Sequence, residues 1–300
     1  MRKLHVCFEN GMRENLKKEE NQQKTKEQKV DSKLKPFIRW AGGKQNLVKE
    51  IFESIDVDLV ERYFEPFLGG ASFFLYGNFN QSFLSDLNPN LTNCYQQIKK
   101  DPKRVFEGIS RFDLPVSSTL YYTIRKEFNQ NNGEQTLEQA IRFIFLNRTS
   151  FNGIYRVNKS GLYNVPFGKS NPAFSTFEHL NMISSKLQNA EIFNGFYDEI
   201  ENLVMPKDLV YLDPPYPRLS DTAFFNHYTL EKFDEYEQEK VAAFANRQKE
   251  KGAKVVISNA DLPDIRKLYR GWTIKNCSAY RYISCKKERI KVKELIIKNF

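Results

Sequence analysis

The chain is poor in residues that staple a fold or bind metal. Its four cysteines, Cys7, Cys94, Cys277 and Cys285, form no C-x-x-C pair, and its three histidines, His5, His179 and His227, are scattered. That spacing predicts reduced, unpaired thiols, with no disulfide framework and no metal site. Long apolar runs are missing too; none approaches the roughly 20 residues that span a bilayer. The opening Met1-Arg2-Lys3-Leu4-His5-Val6-Cys7-Phe8 has too short an apolar stretch for a secretory signal, so a cytoplasmic protein without a membrane partner is expected. Gly42-Gly43-Lys44 ends like a phosphate-binding loop. Ile38 stands where the earlier glycine would be, however, and Gln45 replaces the hydroxyl residue, which argues against a nucleotide triphosphatase. There is no internal repeat.

What is present suffices for one sizeable core and a smaller second lobe: 300 residues, 40% of them hydrophobic. The net charge of +9 is unevenly placed. Residues 1–35 carry ten Lys or Arg against six Asp or Glu, and residues 270–300 carry nine against two. The rest of the chain is slightly acidic. A basic C-terminal segment suits a polyanion, although charge alone also fits a soluble surface.

Residues 9–35, most of the stretch 1–34 that precedes the folded part, are dominated by Glu, Lys, Gln and Asn with almost no large apolar side chain. Such a segment cannot offset its ordering entropy and reads as a charged tail. From Lys35-Pro36-Phe37 onward, strands and helices alternate. A loop at Arg39–Lys44 leads into a helix over roughly 45–55, followed by a strand near Arg62–Phe64. The turn Glu65-Pro66-Phe67-Leu68-Gly69-Gly70 comes next, then a strand Phe83–Asp86. After a long helical stretch to about Arg148, alternation resumes with strands at Glu191–Phe193, Leu209–Leu212 and Lys254–Ser258 and a helix over roughly 231–251. The pattern predicts an α/β fold with a largely parallel sheet, interrupted at about 95–180 by an insertion of different character.

Four places carry chemistry. Leu209-Val210-Tyr211-Leu212 is a short apolar run that stops at Asp213-Pro214-Pro215-Tyr216, which reads as a buried strand whose end two prolines fix. The end presents a carboxylate, a rigid carbonyl and an aromatic face, a set suited to a planar ring bearing an amine, such as adenine. An ordinary strand end with a Pro-Pro turn has the same residues. The Glu65–Gly70 turn lies between strand and helix, where glycine lets backbone approach a ligand, but it lacks the G-x-G-x-x-G spacing of dinucleotide sites. Asp86 ends the next strand, where an acid can bind both hydroxyls of a ribose; it is equally placed to cap the Asn88-Pro89 turn. An adenosine-bearing cofactor without a pyrophosphate fits these features better than NAD. Trp40 and Lys44 can close over such a cofactor, or form a plain turn. Finally, residues 151–158 and 161–168 flank Lys159-Ser160 and predict a β-hairpin whose aromatics alternate with Arg156, Lys159 and several Asn. Such a ribbon suits a major groove, where Arg pairs with guanine and Asn with adenine; a surface hairpin without a partner is the competing reading.

Together these blocks resemble the Dam-type DNA adenine-N6 methyltransferases, the α-group of the amino-methyltransferases. The matching segments are Arg39–Lys44, Glu65–Gly70, Ser85–Asn88, Phe151–Gly168, Asp213–Tyr216 with Ser220–Tyr228, and Ile257–Asn259, in the family's order. The resemblance covers residues 35 to about 297. It implies a Rossmann-like S-adenosylmethionine-dependent sheet (35–94 and 181–300) with an inserted, mainly helical recognition domain carrying the hairpin (95–180). Double-stranded DNA is the implied partner, and a cognate restriction endonuclease is left open.

Carried over residue by residue, the resemblance implies that Trp40, Ala41, Gly42, Lys44, Glu65, Pro66, Phe67, Gly69, Asp86, Phe196 and Asp213 line the cofactor site. Asp213, Pro214, Pro215 and Tyr216 would form the catalytic end. Arg39, Asn152, Tyr155, Arg156, Asn158, Lys159 and Asn164 would face DNA. Arg156 corresponds to a hairpin arginine that reads a guanine in enzymes acting on GATC, which makes GATC the expected site, though one arginine does not define four base pairs. Two departures stand out. Many relatives carry Asp-Phe where this chain has Asn194-Gly195-Phe196, so the acid that would meet the cofactor's adenine amine is missing. Ser284–Arg289 also lacks the expected Gly-bearing stretch. The missing acid leaves open a second class of protein, a DNA-binding regulator that keeps the fold without the reaction.

Overall fold

The computed structural model describes residues 34–55, 60–217, 233–281 and 290–300. The Ser220–Tyr228 and Ser284–Arg289 segments and nearly all of the charged tail therefore lie outside the described residues; the first described residue, Leu34, is buried in the core.

Seven strands form one sheet: β1 (Tyr63–Glu65), β2 (Ser82–Asp86), β3 (Ala190–Asn194), β4 (Leu209–Leu212), β5 (Lys254–Ala260), β6 (Thr273–Arg281) and β7 (Ile290–Lys298), in the spatial order β3-β2-β1-β4-β5-β7-β6. The first five are mutually parallel, and β7 runs antiparallel to both neighbours. The order reverses direction beside β1 and β4. Open α/β sheets bind ligands at such a switch point, beyond the carboxyl ends of the strands.

A parallel sheet covered on both faces needs apolar side chains pointing both ways, and the central strands supply them. All four residues of β4 are buried. Tyr211 and Leu209 turn into one core with Tyr63, Leu84 and Val256. Val210 and Leu212 turn into the other, with Phe64, Val255 and Ile257. The nine helices among the described residues are α1 (Val48–Glu53), α2 (Ser72–Tyr76), α3 (Pro89–Lys100), α4 (Pro102–Ser110), α5 (Ser118–Gln130), α6 (Leu137–Thr149), α7 (Phe177–Leu187), α8 (Glu235–Glu250) and α9 (Pro263–Leu268). The first core continues through α3–α7 without a break, whereas α8 packs on the second through Val241, Phe244 and Ala245.

Short polar residues start most of the longer helices. Asn88, Asp101, Ser117, Thr136, Thr176 and Asp234 each accept a backbone N–H in the first turn of the helix they precede. Helix α6 is buried on nearly every side and packs against α3, α4 and α5.

The expected hairpin is reduced. Val157 bridges Tyr163 antiparallel, and the Asn158 carboxamide closes the turn by accepting from the N–H groups of Ser160 and Leu162 (2.9 and 3.0 Å). Extended strands do not form on either side of that bridge. Asn152 and Gly153 take positive φ angles of 56° and 65°, which bends the chain away from a ribbon.

At the opposite edge of β1, Arg62 donates through Nε (3.1 Å) and Nη2 (2.6 Å) to both carboxylate oxygens of buried Asp208. This fork joins the amino ends of β1 and β4. Arg62→Ala leaves the carboxylate buried without its cation, and is expected to cost about 3 kcal/mol of stability, measured by urea unfolding. A loss under about 0.5 kcal/mol would be the value of an exposed pair and would mean that the fork does not hold the strands.

Candidate active site

The carboxylate of Asp213 sits just past β4 and is the hub of the site. Ser258 Oγ, from β5, donates to its Oδ1 at 2.8 Å, and Tyr211 OH lies 2.9 Å from the same serine oxygen. Lys44 Nζ lies 2.8 Å from Oδ1 and 3.0 Å from Oδ2, and donates to the Gly42 carbonyl at 2.5 Å. The ammonium also lies 4.5 Å from the centroid of the Tyr216 ring. Lys44 is almost fully buried, so the loop over 39–44 delivers a paired cation rather than a surface lysine.

The tetrapeptide is anchored at two further points. Tyr216 OH donates to Glu294 Oε2 on β7 (2.9 Å). Gln238 of α8 donates to the Pro215 carbonyl (2.7 Å) and accepts from Asn259 of β5 (2.9 Å). Glu294, Gln238 and Asn259 are buried polar residues on otherwise apolar surfaces. Asn259 lies in the Ile257–Asn259 block, whereas Glu294 and Gln238 belong to none of the motifs, and reading the motifs alone passes over them.

The glycine turn is fastened to the end of β2. Asp86 accepts from Gly69 N (2.9 Å) and from Asn88 N (3.0 Å), so it both caps the Asn88-Pro89 turn and holds the glycines. Burial, opposed by these two N–H bonds, raises its pKa to about 6. Gly69 has φ +46°, and a Cβ there would lie 2.7 Å from the Trp40 ring, so glycine is required on both counts. Ser72 Oγ and Ser85 Oγ, buried beside this turn, have no hydrogen-bond partner among the described residues. A polar nucleoside cofactor fits these features: two unspent hydroxyls, an acid at a strand end and glycines that leave the backbone bare.

The remaining residues expected at the cofactor site fall on both sides of that turn. Pro66 is buried, Phe67 stacks on Tyr197 at 5.2 Å, and Phe196 is exposed past the end of β3. Ala41 and Gly42 lie in the loop that carries Lys44. Trp40 packs against Phe143 and Tyr155, with ring centroids at 6.3 and 5.8 Å.

Of the residues expected to face DNA, Arg39, Asn152, Arg156, Asn158 and Lys159 are exposed. Asn158 spends its carboxamide oxygen on the turn, and Asn164 accepts from Arg156 twice, from Nε through its carboxamide (2.8 Å) and from Nη2 through its carbonyl (3.5 Å). Tyr155 is buried and stacked on Trp40, which places it inside the loop packing and not at the surface. Asn147 was not foreseen: it accepts from Arg39 N (2.8 Å) and donates to the Arg39 and Gly153 carbonyls (2.7 and 3.2 Å). It thereby ties the loop before Lys44 to the segment carrying Arg156.

Among the described residues, no group of His, Cys, Asp or Glu is placed to hold a metal ion, and no helix is long and apolar enough to cross a membrane.

The sheet order and the Asp-Pro-Pro-Tyr strand end define a methyltransferase of the Rossmann-like kind. Comparison supplies the family: residues 40–283 match the D12 class N6 adenine-specific DNA methyltransferases, and the chain belongs to that family. It is 35% identical over 287 residues to the type II methyltransferase M.MjaIII of Methanocaldococcus jannaschii, covering 89% of this chain and 99% of the relative. It is 35% identical to a DNA adenine methylase of Vibrio cholerae (84% of this chain, 91% of the relative). With the DNA adenine methylase of Escherichia coli K12 it shares 32% identity (88% and 95%).

Glu65 lies beneath the site. It accepts from Tyr63 OH (2.7 Å) and Phe74 N (3.2 Å), and burial, with the nearby charges of Asp213 and Asp86, raises its pKa to about 8. The folded state therefore keeps a proton that the unfolded chain releases near pH 4.5. Its contribution is a stability that falls as pH rises from that value to about 8, and is level above. Asp86 adds a slope of the same sign over a narrower range, between its ordinary 3.8 and about pH 6. Glu65→Gln mimics the protonated form and is expected to flatten the wild-type decline, raising Tm at pH 8 relative to wild type in thermal unfolding across this range. An unchanged slope would mean that the acid is ionised in the fold.

Proposed function

We propose that the chain transfers a methyl group from S-adenosylmethionine to N6 of an adenine flipped out of a short duplex site, with GATC the expected sequence. The observation that carries this reading is the Asp213 carboxylate. It is fixed by Ser258 at 2.8 Å and set beside the Pro214 carbonyl and the Tyr216 ring, whose hydroxyl Glu294 holds.

When bound, S-adenosylmethionine supplies an electrophilic methyl group on its sulfonium. The residues of this chain align it and receive the base. Asp86 retains free lone pairs for ribose hydroxyls, and Trp40, Ala41, Gly42, Phe67 and Gly69 bound the space beside it. Asp213 and the Pro214 carbonyl each accept one hydrogen of the target amine, which directs the nitrogen lone pair at the methyl carbon. They also stabilise the positive charge that develops on N6. Asp213 need not be a strong base, because the methylated nitrogen is acidic enough to lose its proton afterwards. Tyr216 stacks on the extruded ring and offsets part of the few kcal/mol, approximately, that flipping costs.

In the described arrangement the Lys44 ammonium lies where that amine would be, on the carboxylate and over the Tyr216 face. Lys44 must therefore withdraw as the adenine seats. We assign residues 95–180 to target recognition, with Arg39 and Arg156 on bases and Lys159 on phosphate. A cognate restriction endonuclease belongs to this reading only as a partner to be sought.

The test is incubation with S-adenosylmethionine and unmethylated genomic DNA, followed by single-base mapping of N6-methyladenine. Methylation confined to one short motif is expected, and none at saturating cofactor would overturn the reading. Asp213→Ala is expected to abolish transfer while DNA binding survives; near-normal turnover by that variant would remove Asp213 from the mechanism. Arg156→Ala is expected to lose about 1–3 kcal/mol of discrimination at one guanine, read from methylation rates on duplexes altered one base pair at a time.

A further inference from the structure

The carboxyl end of β3 is built around an absent side chain. Gly195 follows Asn194, which pairs in register with Asp86, and both Gly195 N (3.3 Å) and Asn194 Nδ2 (2.8 Å) donate to the Asp86 carbonyl. Residue 195 therefore stands beside the acid assigned to the ribose, about one strand spacing away. The space that its side chain would take is filled by another residue. A Cβ on Gly195 would lie 2.4 Å from Glu199 Oε2, 2.8 Å from its Cδ and 2.9 Å from Oε1.

Glu199 is held there by one bond. Phe196 N donates to Oε1 at 2.8 Å, and the Phe196 carbonyl accepts from Glu199 N at 3.2 Å, which together cap the short turn Tyr197–Ile200. Oε2 accepts from no described residue. Next to it, the Phe196 ring is 43% exposed, a large apolar face left to solvent at the strand end. A free carboxylate oxygen beside an exposed aromatic face is complementary to a purine carrying an exocyclic amine: the ring stacks and the amine donates.

We propose that Glu199 binds the adenine amine of the cofactor, from the place that a side chain on residue 195 would otherwise fill. The inference rests on the reading of S-adenosylmethionine as the cofactor. Residue identity at 195 and 199 is then coupled. An acid at 195 needs the Glu199 carboxylate to swing aside, whereas an acid at 195 with a small residue at 199 takes over the contact. Gly195 here marks a relocated acid, not a lost one.

Calorimetric titration of two stable ligands tests this: S-adenosylhomocysteine, and its inosine counterpart, in which oxygen replaces the amine. Wild type is expected to prefer the adenosine ligand by about tenfold or more, the value of one bond to a charged acceptor. Glu199→Gln keeps the size and the cap but offers one acceptor oxygen to two N–H donors. It is expected to lose most of that preference by weakening the adenosine ligand alone. Glu199→Ala should lose the preference as Glu199→Gln does, and adding Gly195→Asp to Glu199→Ala should recover it. Equal weakening of both ligands by Glu199→Gln, or a preference that persists in it, would overturn the assignment and leave Glu199 as a cap. A wild type that binds neither ligand would instead remove the cofactor reading itself, and this inference with it.

Discussion

The site depends on one electrostatic constraint: a carboxylate placed at the end of a buried strand has to be neutralised and hydrogen-bonded from several directions at once. Water cannot do all of this at Asp213. A hydroxyl from β5 and an ammonium from the loop before α1 do it instead. Because these partners come from distant parts of the chain, the carboxylate works as a knot. It ties β4 to β5 in one rigid corner, to which the Tyr216–Glu294 bond adds β7, while the Lys44 contact with the 39–44 loop is the part that a seated base would displace. A methyl transfer that relies on alignment more than on strong acid or base chemistry needs such rigidity.

The same logic extends along the sheet. Asp86 and Glu65 are both acids at the carboxyl ends of parallel strands, and both have raised pKa values because burial outweighs their hydrogen bonds. They nevertheless differ in what surrounds them. Asp86 accepts backbone N–H groups from the glycine turn and stays within reach of a ligand. Glu65 is sealed under α2 and bonded to Tyr63. The first is the acid proposed to meet the cofactor; the second lies in the floor beneath it. Asn147 makes a comparable tie elsewhere, since it joins the loop of Arg39 to that of Gly153. The residues proposed to meet DNA and those proposed to meet the target base are thus connected through Trp40, Tyr155 and Asn147 without sharing a secondary-structure element.

Much of this was readable from the chain alone. The period of the apolar residues placed β1 to β5 and α8 within a few residues, because buried parallel strands need unbroken apolar runs and such runs are hard to mistake when Gly, Pro or Asp ends them. Asp213–Tyr216, Glu65–Gly70 and Asp86 stood out for the same reason: each breaks an apolar pattern at its end. The hairpin was over-read. Alternating aromatics suggested a ribbon, yet Tyr155 and Tyr163 turn into the helical core, and the positive φ angles at Asn152 and Gly153 bend the chain instead. Lys44 was read as one side of a cofactor loop, and its pairing with Asp213, 169 residues away, has no local sequence signature.

The sequence by itself determined β1 to β5, their apolar runs and the residue types at their ends, since these follow from periodicity and from local hydrogen bonding. Only the tertiary structure decided which polar groups meet: Lys44 and Ser258 on Asp213, Glu294 on Tyr216, Gln238 on Pro215 and Glu199 over Gly195. Those contacts join residues far apart in the chain or fill spaces that exist only once the sheet has assembled. What selects them is the cost of leaving a buried charge or amide unpaired, and that cost arises only after burial has removed the water.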